Sequence, residues 1–158
     1  MMKSRLLLAG IAALMLAAPA RAAMSEKDAV LTALDDEYKA YATYDAVIQR
    51  FGAVRPFVNI IRAEDTHFSA LIDYMIAQGW DVPANPYLTG AKSLGDLPDT
   101  LQGACKLGVQ AEIDNAALYT DKLLPVVQGN AQLSGIFTAL YQASQNKHLP
   151  AFQRCAGR

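Results

Sequence analysis

A carboxylate and an imidazole stand three residues apart in Ala63-Glu64-Asp65-Thr66-His67, inside an apolar run of helical period. Residues at i and i+3 lie on one side of a helix, a turn apart. Turned inward, such a pair is the unit with which four-helix bundles hold a metal ion, single glutamates from neighbouring helices completing the ligand set. The composition singles the pair out, because the chain has four glutamates (Glu26, Glu37, Glu64, Glu112) against eleven aspartates, and two histidines (His67, His148). Ordinary helix surfaces use Glu freely, since it is a good helix former. Here Asp carries most of the negative charge, and Glu falls chiefly where the apolar pattern turns inward. The competing reading is a polar i,i+3 pair on a solvated face.

The elements that must position this pair are helices. Ser25-Glu26-Lys27-Asp28 resembles a capping box, with Asp in the usual Glu/Gln place. Behind it Val30, Leu34, Glu37, Tyr41, Tyr44, Ile48 and Phe51 recur every three or four residues, a helical stripe with Glu37 in its middle. A carboxylate there must be protonated, paired or metal-bound, because burying an unpaired charge is very costly; a hydrogen bond with Tyr41 is one alternative. Gly52 and Pro56 mark a stop and a start. The second helix then buries Phe57, Ile60, Ile61, Glu64, His67, Phe68, Leu71 and Met75, running out near Gly79. A short turn makes the two helices antiparallel neighbours. Glu37 and His67 are nearly symmetric about the turn at residues 52 and 53, so they lie level.

Residues 80–97 carry Pro83, Pro86 and two glycines, with no sustained period. A structureless connection this long is uncommon inside a compact domain. It suits the long crossover of a ferritin-like bundle, in which the chain travels the length of the molecule before its second hairpin begins. Extended, it reaches at most roughly 60 Å, ample for a bundle of about 35 Å. Trp80 and Tyr87 read as anchors that pin this loop to the bundle.

Pro98 marks a third helix, with Leu101, Cys105, Gly108 or Val109, Glu112, Ala116, Tyr119 and Leu123 inward and Pro125 near its end. After a turn around Gly129-Asn130, a fourth presents Leu133, Ile136, Phe137, Leu140, Tyr141, Ser144, His148, Ala151, Phe152 and Cys155. Three pairs are symmetric about residue 130: Cys105 with Cys155, Glu112 with His148, and Tyr119 with Tyr141. A cysteine pair, an acid–imidazole pair and a tyrosine pair thus share one register. Two cysteines level on adjacent antiparallel helices are placed for a disulfide, with free thiols or metal ligation as alternatives.

The N-terminus explains why a disulfide could persist. Lys3 and Arg5 precede an apolar core over residues 6–18, and Ala20-Arg21-Ala22 offers a small-x-small cleavage site, the layout of a secretory signal. The apolar run is shorter than the roughly 20 residues a membrane span needs. Cleavage after Ala22 leaves residues 23–158 as one domain, bound for the periplasm or the exterior and not membrane-attached. Loss of Lys3, Arg5 and Arg21 takes the formal charge from -1 to -4. A mildly acidic product without a basic cluster excludes nucleic acid as an expected partner, and no exposed apolar stripe marks a protein partner.

Four stretches together resemble a known group: Ala33-Leu34-Asp35-Asp36-Glu37-Tyr38-Lys39, Phe57-Val58-Asn59-Ile60-Ile61-Arg62-Ala63-Glu64-Asp65-Thr66-His67, Gly108-Val109-Gln110-Ala111-Glu112-Ile113, and Ser144-Gln145-Asn146-Lys147-His148-Leu149-Pro150-Ala151-Phe152. They are similar to bacterial ferritin-like proteins, and more narrowly to the family catalogued as domain of unknown function 2202. The likeness covers nearly all of residues 23–158 in order. It implies an all-α, ferritin-like four-helix bundle, two antiparallel hairpins joined by a long crossover, with Glu37, Glu64, His67, Glu112 and His148 as the matching inner positions; it implies no established activity. The fourth helix departs from a complete di-iron cage, which repeats Glu-x-x-His: here Gln145 stands in the sixth ligand's place. Lys147 is one residue more than the related pattern carries. Pro150 cannot donate to Asn146, so a bulge or kink is expected beside His148.

Three carboxylates and two imidazoles suit iron, with manganese or zinc as alternatives. With iron and an open position, dioxygen or peroxide chemistry of oxidase or ferroxidase type becomes available, with Tyr41, Tyr44 and Tyr119 as candidate electron donors or, singly, as core packing. The other class of reading is a non-catalytic bundle with a degenerate metal site, in which Glu and His pair with each other and the protein is a structural or partner-binding module. No phosphate loop, Ser-His-Asp arrangement or zinc-finger spacing occurs.

Overall fold

The computed structural model describes residues 23–157; the leader expected over residues 1–22 lies outside them. All regular structure among these residues is helical. Helix α1 (Glu26–Phe51) opens on a capping box in which Ser25 Oγ accepts from the Asp28 amide and the Asp28 carboxylate accepts from the Ser25 amide. Two N–H groups that have no intrahelical partner are thereby satisfied. The helix stops at Gly52, whose φ of 83° is a conformation side chains resist. Helix α2 (Phe57–Ala77) follows Pro56. Helix α3 (Leu101–Leu118) starts two residues later than Pro98 suggests, because Thr100 is the cap and accepts from the Gly103 amide. Among the described residues no helix is long and apolar enough to cross a membrane.

The third and fourth rods each widen at one point. A π turn, Tyr119–Leu123, extends α3, and a second, Ser144–His148, joins α4 (Ala131–Ala143) to α5 (Leu149–Ala156). Both stand in the same relation to a proline. Pro125 and Pro150 have no N–H, and their rings collide with the carbonyl four residues back. In each case the preceding leucine donates five residues back: Leu124 to the Tyr119 carbonyl, Leu149 to that of Ser144. Each turn takes up one extra residue; past Pro150 the fourth rod continues as α5, whereas past Pro125 the third rod gives way to turns. The bulge expected at His148 is this second turn.

Contacts fix the direction of every rod. Tyr38 packs its ring on Phe68 and Tyr44 on Phe57, so α1 and α2 are antiparallel. Cys105 and Cys155, bonded with their Cα atoms 5.7 Å apart, and Gln145 bonded to the Glu112 carbonyl make the third and fourth rods antiparallel. Tyr44 reaches Glu112 while Tyr119 reaches Glu37, so α3 also opposes α1 and runs parallel to α2. Only a connection along the molecule can place α3 that way. It lies on α1: Lys27 sits over the Trp80 ring, Tyr38 donates to the Pro83 carbonyl, Tyr87 donates to Asp35, and Arg50 binds the Leu97 carbonyl and Asp99.

Two apolar clusters fill the interior, one around Leu34, Leu71, Tyr119, Leu133 and Phe137, the other around Tyr44, Val47, Phe57, Cys105 and Phe152. Tyr119 packs on Phe137 at 5.5 Å, one turn from the Tyr141 expected opposite it, since the π turn begins at Tyr119. Along α1, Tyr38 is buried where Tyr41 was expected to be. Gly108 is required by close approach: a Cβ there would sit 2.6 Å from the Phe152 ring.

Gly108→Ala should therefore cost about 1–3 kcal/mol in urea unfolding, as overpacking does, and adding Phe152→Leu should recover part of it. Replacing both Cys105 and Cys155 with Ser should cost about 4 kcal/mol, the chain-entropy value for a loop of this length.

Candidate metal centre

Between the two apolar clusters lies a layer of ionisable side chains, one or two from each rod. Glu37 comes from the middle of α1, Glu64 and His67 from α2, Glu112 from α3, and His148 from the second π turn. All five expected inner positions converge. Glu37 and Glu64 are 3% exposed, Glu112 and His148 4%. His67 Nδ1 lies 3.2 Å from Glu37 Oε2 and 3.0 Å from Glu64 Oε2. His148 Nδ1 lies 3.3 Å from Glu64 Oε1 and 3.6 Å from Glu112 Oε1. The two imidazoles are stacked, with centroids 5.4 Å apart.

Two groups of potential ligand atoms result: Glu37, Glu64 and His67, and Glu64, Glu112 and His148. Within each, the atoms lie within 4.8 Å of one another. Glu64 belongs to both, one oxygen facing each imidazole. Each group offers carboxylate and imidazole donors close enough to share one ion, the donor chemistry of iron, manganese or zinc sites.

Two tyrosines complete the layer. Tyr44 Oη donates to Glu112 Oε1 at 2.9 Å, and Tyr119 Oη donates to Glu37 Oε1 at 3.0 Å. The arrangement is reciprocal: each glutamate stands seven residues before the tyrosine that serves the glutamate on the other helix. This spacing, Glu37 to Tyr44 and Glu112 to Tyr119, is the signal that points to them in the sequence. Tyr41, by contrast, packs edge-on against Phe68, and Glu37 bonds Tyr119 in its place. Burial, reinforced by the neighbouring carboxylates, holds both phenols well above their ordinary range.

The fourth rod corrects the assignment of the sixth position. Gln145 turns away from the layer, donating its amide to the Glu112 carbonyl at 2.7 Å and to Ser144 Oγ at 3.0 Å. Ser144 is the residue that faces inward, 3% exposed. A π turn takes about one residue more than an α turn, so residues four apart share its face; Ser144 and His148 are four apart, as Glu64 and His67 are three apart on α2. The extra residue of the π turn shifts the register by one. A cavity of about 180 Å³ adjoins the layer and is lined by Glu37, Glu64, His67, Glu112, Ser144 and His148. It also borders Lys39, Gln110 and Asp114, all exposed, which places its mouth between α1 and α3.

Charge in this layer is balanced by protons when no cation is present. Burial opposes the charged form of each imidazole, but bonds to two carboxylates overrule it and raise His67 to about 10 and His148 to about 9. Burial likewise pushes Glu37 up to about 8, against the pull of His67. Glu64, despite its burial, is drawn down to about 2 by hydrogen bonds to His148 and His67. Asp36, beside the layer and bonded to Asn115 at 2.8 Å, is raised to about 6 by burial.

These shifts set the pH profile of the metal-free protein. The imidazoles, raised from 6.5, contribute stability that is complete below that value and lost as pH rises through 9 to 10. Glu37 adds a loss over the rise from 4.5 to about 8, and Glu64 contributes above 4.5 and loses its share only toward pH 2. In EDTA, the melting temperature should fall steadily between pH 7 and 10. His67→Gln should flatten that fall, and a profile flat to pH 10 in the parent protein would contradict the assignment.

No protein-family model, curated protein or solved structure matches this chain, so its own side chains are the ground for any functional reading.

Proposed function

We propose that this is an exported, ferritin-like metal-binding protein that holds one or two transition ions, iron foremost, between its helices. The observation that carries the reading is the place of Glu64 in both ligand groups, a carboxylate with an oxygen toward each. Glu37 with His67 would hold one ion, Glu112 with His148 the other, and Glu64 would serve both. The order of elements, hairpin, long strap and hairpin, supports a ferritin-like four-helix bundle. The four sequence stretches quoted above support kinship with the domain of unknown function 2202 family. The leader pattern and the Cys105–Cys155 disulfide support passage to an oxidising compartment.

Bound redox-active ions would supply electron exchange with dioxygen or peroxide, the basis of an oxidase or ferroxidase-type activity. The chain's own part is to arrange and to exclude. Tyr44 and Tyr119 hold one oxygen each of Glu112 and Glu37, which fixes the rotation of those carboxylates. Gln145 ties the third rod to the fourth beside Glu112. The apolar clusters above and below keep water to the side where the cavity opens.

A second reading has its own observation. Each imidazole already faces two carboxylates, a pairing that satisfies the layer without an ion. On that reading the bundle is a structural or partner-binding module with a degenerate site. Anaerobic reconstitution with Fe(II) followed by elemental analysis separates the two. Metal binding predicts about one to two equivalents in the parent protein. Glu64→Ala should empty both ligand groups, whereas Glu37→Ala and Glu112→Ala should empty one each. No iron retained by the parent protein would favour the structural module.

A further inference from the structure

Ser144 marks the one place where the two halves of the layer differ in kind. Glu37 answers to Glu112, Tyr44 to Tyr119, and His67 to His148, with the tyrosine bonds crossing reciprocally between α1 and α3. One turn before His67 stands Glu64, and one π turn before His148 stands Ser144. A serine side chain is smaller than a glutamate by three heavy atoms, and the fourth rod brings a hydroxyl where the second brings a carboxylate. The space is not filled by a neighbour. Ser144 borders the cavity of about 180 Å³, whose apolar wall includes Ala40, Ala104, Gly108 and Ala111. Liquid water takes about 30 Å³ per molecule, so the cavity has room for more than ions and a single solvent molecule.

The chemistry of an occupant follows from what is missing. Ser144 Oγ accepts from Gln145, and its own proton remains to be donated. Three carboxylates face two potential ions, and ligand carboxylates are ionised when a metal is bound. Two divalent ions would then exceed the ligands' charge by one, and an uncompensated buried charge is costly. Asp36 also borders the cavity and adds negative charge beside the layer, but it is engaged with Asn115 and supplies no ligand atom to either group. A small monoanion with two oxygens and a short apolar tail matches the vacancy beside Ser144, the hydroxyl donor and the apolar wall together.

We propose that the cavity beside Ser144 is a binding site for a short-chain monocarboxylate, which supplies from solution the carboxylate that the fourth rod lacks. The inference rests on the metal-binding reading above, and the experiment separates its failure from the failure of that reading. Protein loaded with Co(II) is titrated with acetate, propionate and 1-naphthoate, with chloride as a control, and the visible cobalt absorption is followed. Acetate and propionate should shift the spectrum saturably at one equivalent, and chloride and the bulky naphthoate should not. Ser144→Glu should retain its cobalt and weaken acetate binding at least about tenfold, because the protein then provides the carboxylate itself. Ser144→Ala should still respond but bind acetate more weakly than the parent protein, because the hydroxyl donor is lost.

Cobalt bound by the parent protein without any saturable response to acetate or propionate overturns the proposal alone, leaving hydroxide or water as the occupant. An equal response to all three acids also overturns it. A parent protein that retains no cobalt overturns the metal reading and this proposal with it. The acid series uses the parent protein, so the test stands even if Ser144→Glu does not fold.

Discussion

Five ionisable side chains drawn into one layer are the constraint on which the rest of this molecule depends. Glu37, Glu64, Glu112 and His148 are buried between two apolar clusters, with His67 half-buried beside them. A charge in such a place is tolerable only when paired and hydrogen-bonded. Pairing requires that four helical rods stop in the right register, since no rod brings both members in sufficient number. The strap along α1 is a consequence. It turns α3 parallel to α2 and so sets Glu112 beside Tyr44 and Tyr119 beside Glu37. A direct hairpin from α2 to α3 would reverse α3 and exchange the levels of its glutamate and tyrosine.

The prolines act on the same layer from the other direction. Pro150 would break an α-helix where the fourth rod must go on, and Pro125 stands where the third rod ends. The π turns before Pro125 and Pro150 resolve this by lending one residue to the turn. One begins at Tyr119 and the other ends at His148, so both abut residues of the polar layer. π turns inside helices are rare and concentrate at functional sites. Here the physical cause is local and readable, a leucine amide that finds its carbonyl five residues back because the next residue has no amide to offer.

How far the sequence discloses all this differs by element. The pairing of Cys105 with Cys155, and the convergence of Glu37 with His67 and of Glu112 with His148, are legible because antiparallel rods joined by short turns have a single centre of symmetry. The helix start at Ser25 is legible because capping is local. Ser144 is not, since counting by threes from His148 lands on Gln145; only a widened turn brings residue 144 to the face, and Pro150 hints at it without fixing its register. The seven-residue spacing points to Tyr44 and Tyr119 themselves but not to the crossing of their bonds, which join α1 to α3, rods related only through a strap without a repeating pattern. Tyr38 in place of Tyr41 follows from that strap, which covers Tyr38 with Pro83 and Asn85.

The contacts that favour a purely structural layer also bear on how an ion would enter. With protons on both imidazoles, Glu64 is already drawn between His67 and His148, and its two oxygens point where two separate positive charges sit. A cation arriving from the cavity would meet carboxylates already turned inward, Glu37 and Glu112 held by tyrosines, and would take the place of protons without the site being assembled anew. Sites that preexist in this way avoid the ordering cost that a metal-induced fold must meet. The disulfide contributes to the same end. It ties α3 to α5 two turns from Glu112, on the rod whose π turn carries His148. The layer can therefore keep its geometry in the absence of an ion, and the groups that stabilise it then are the ones an ion would use.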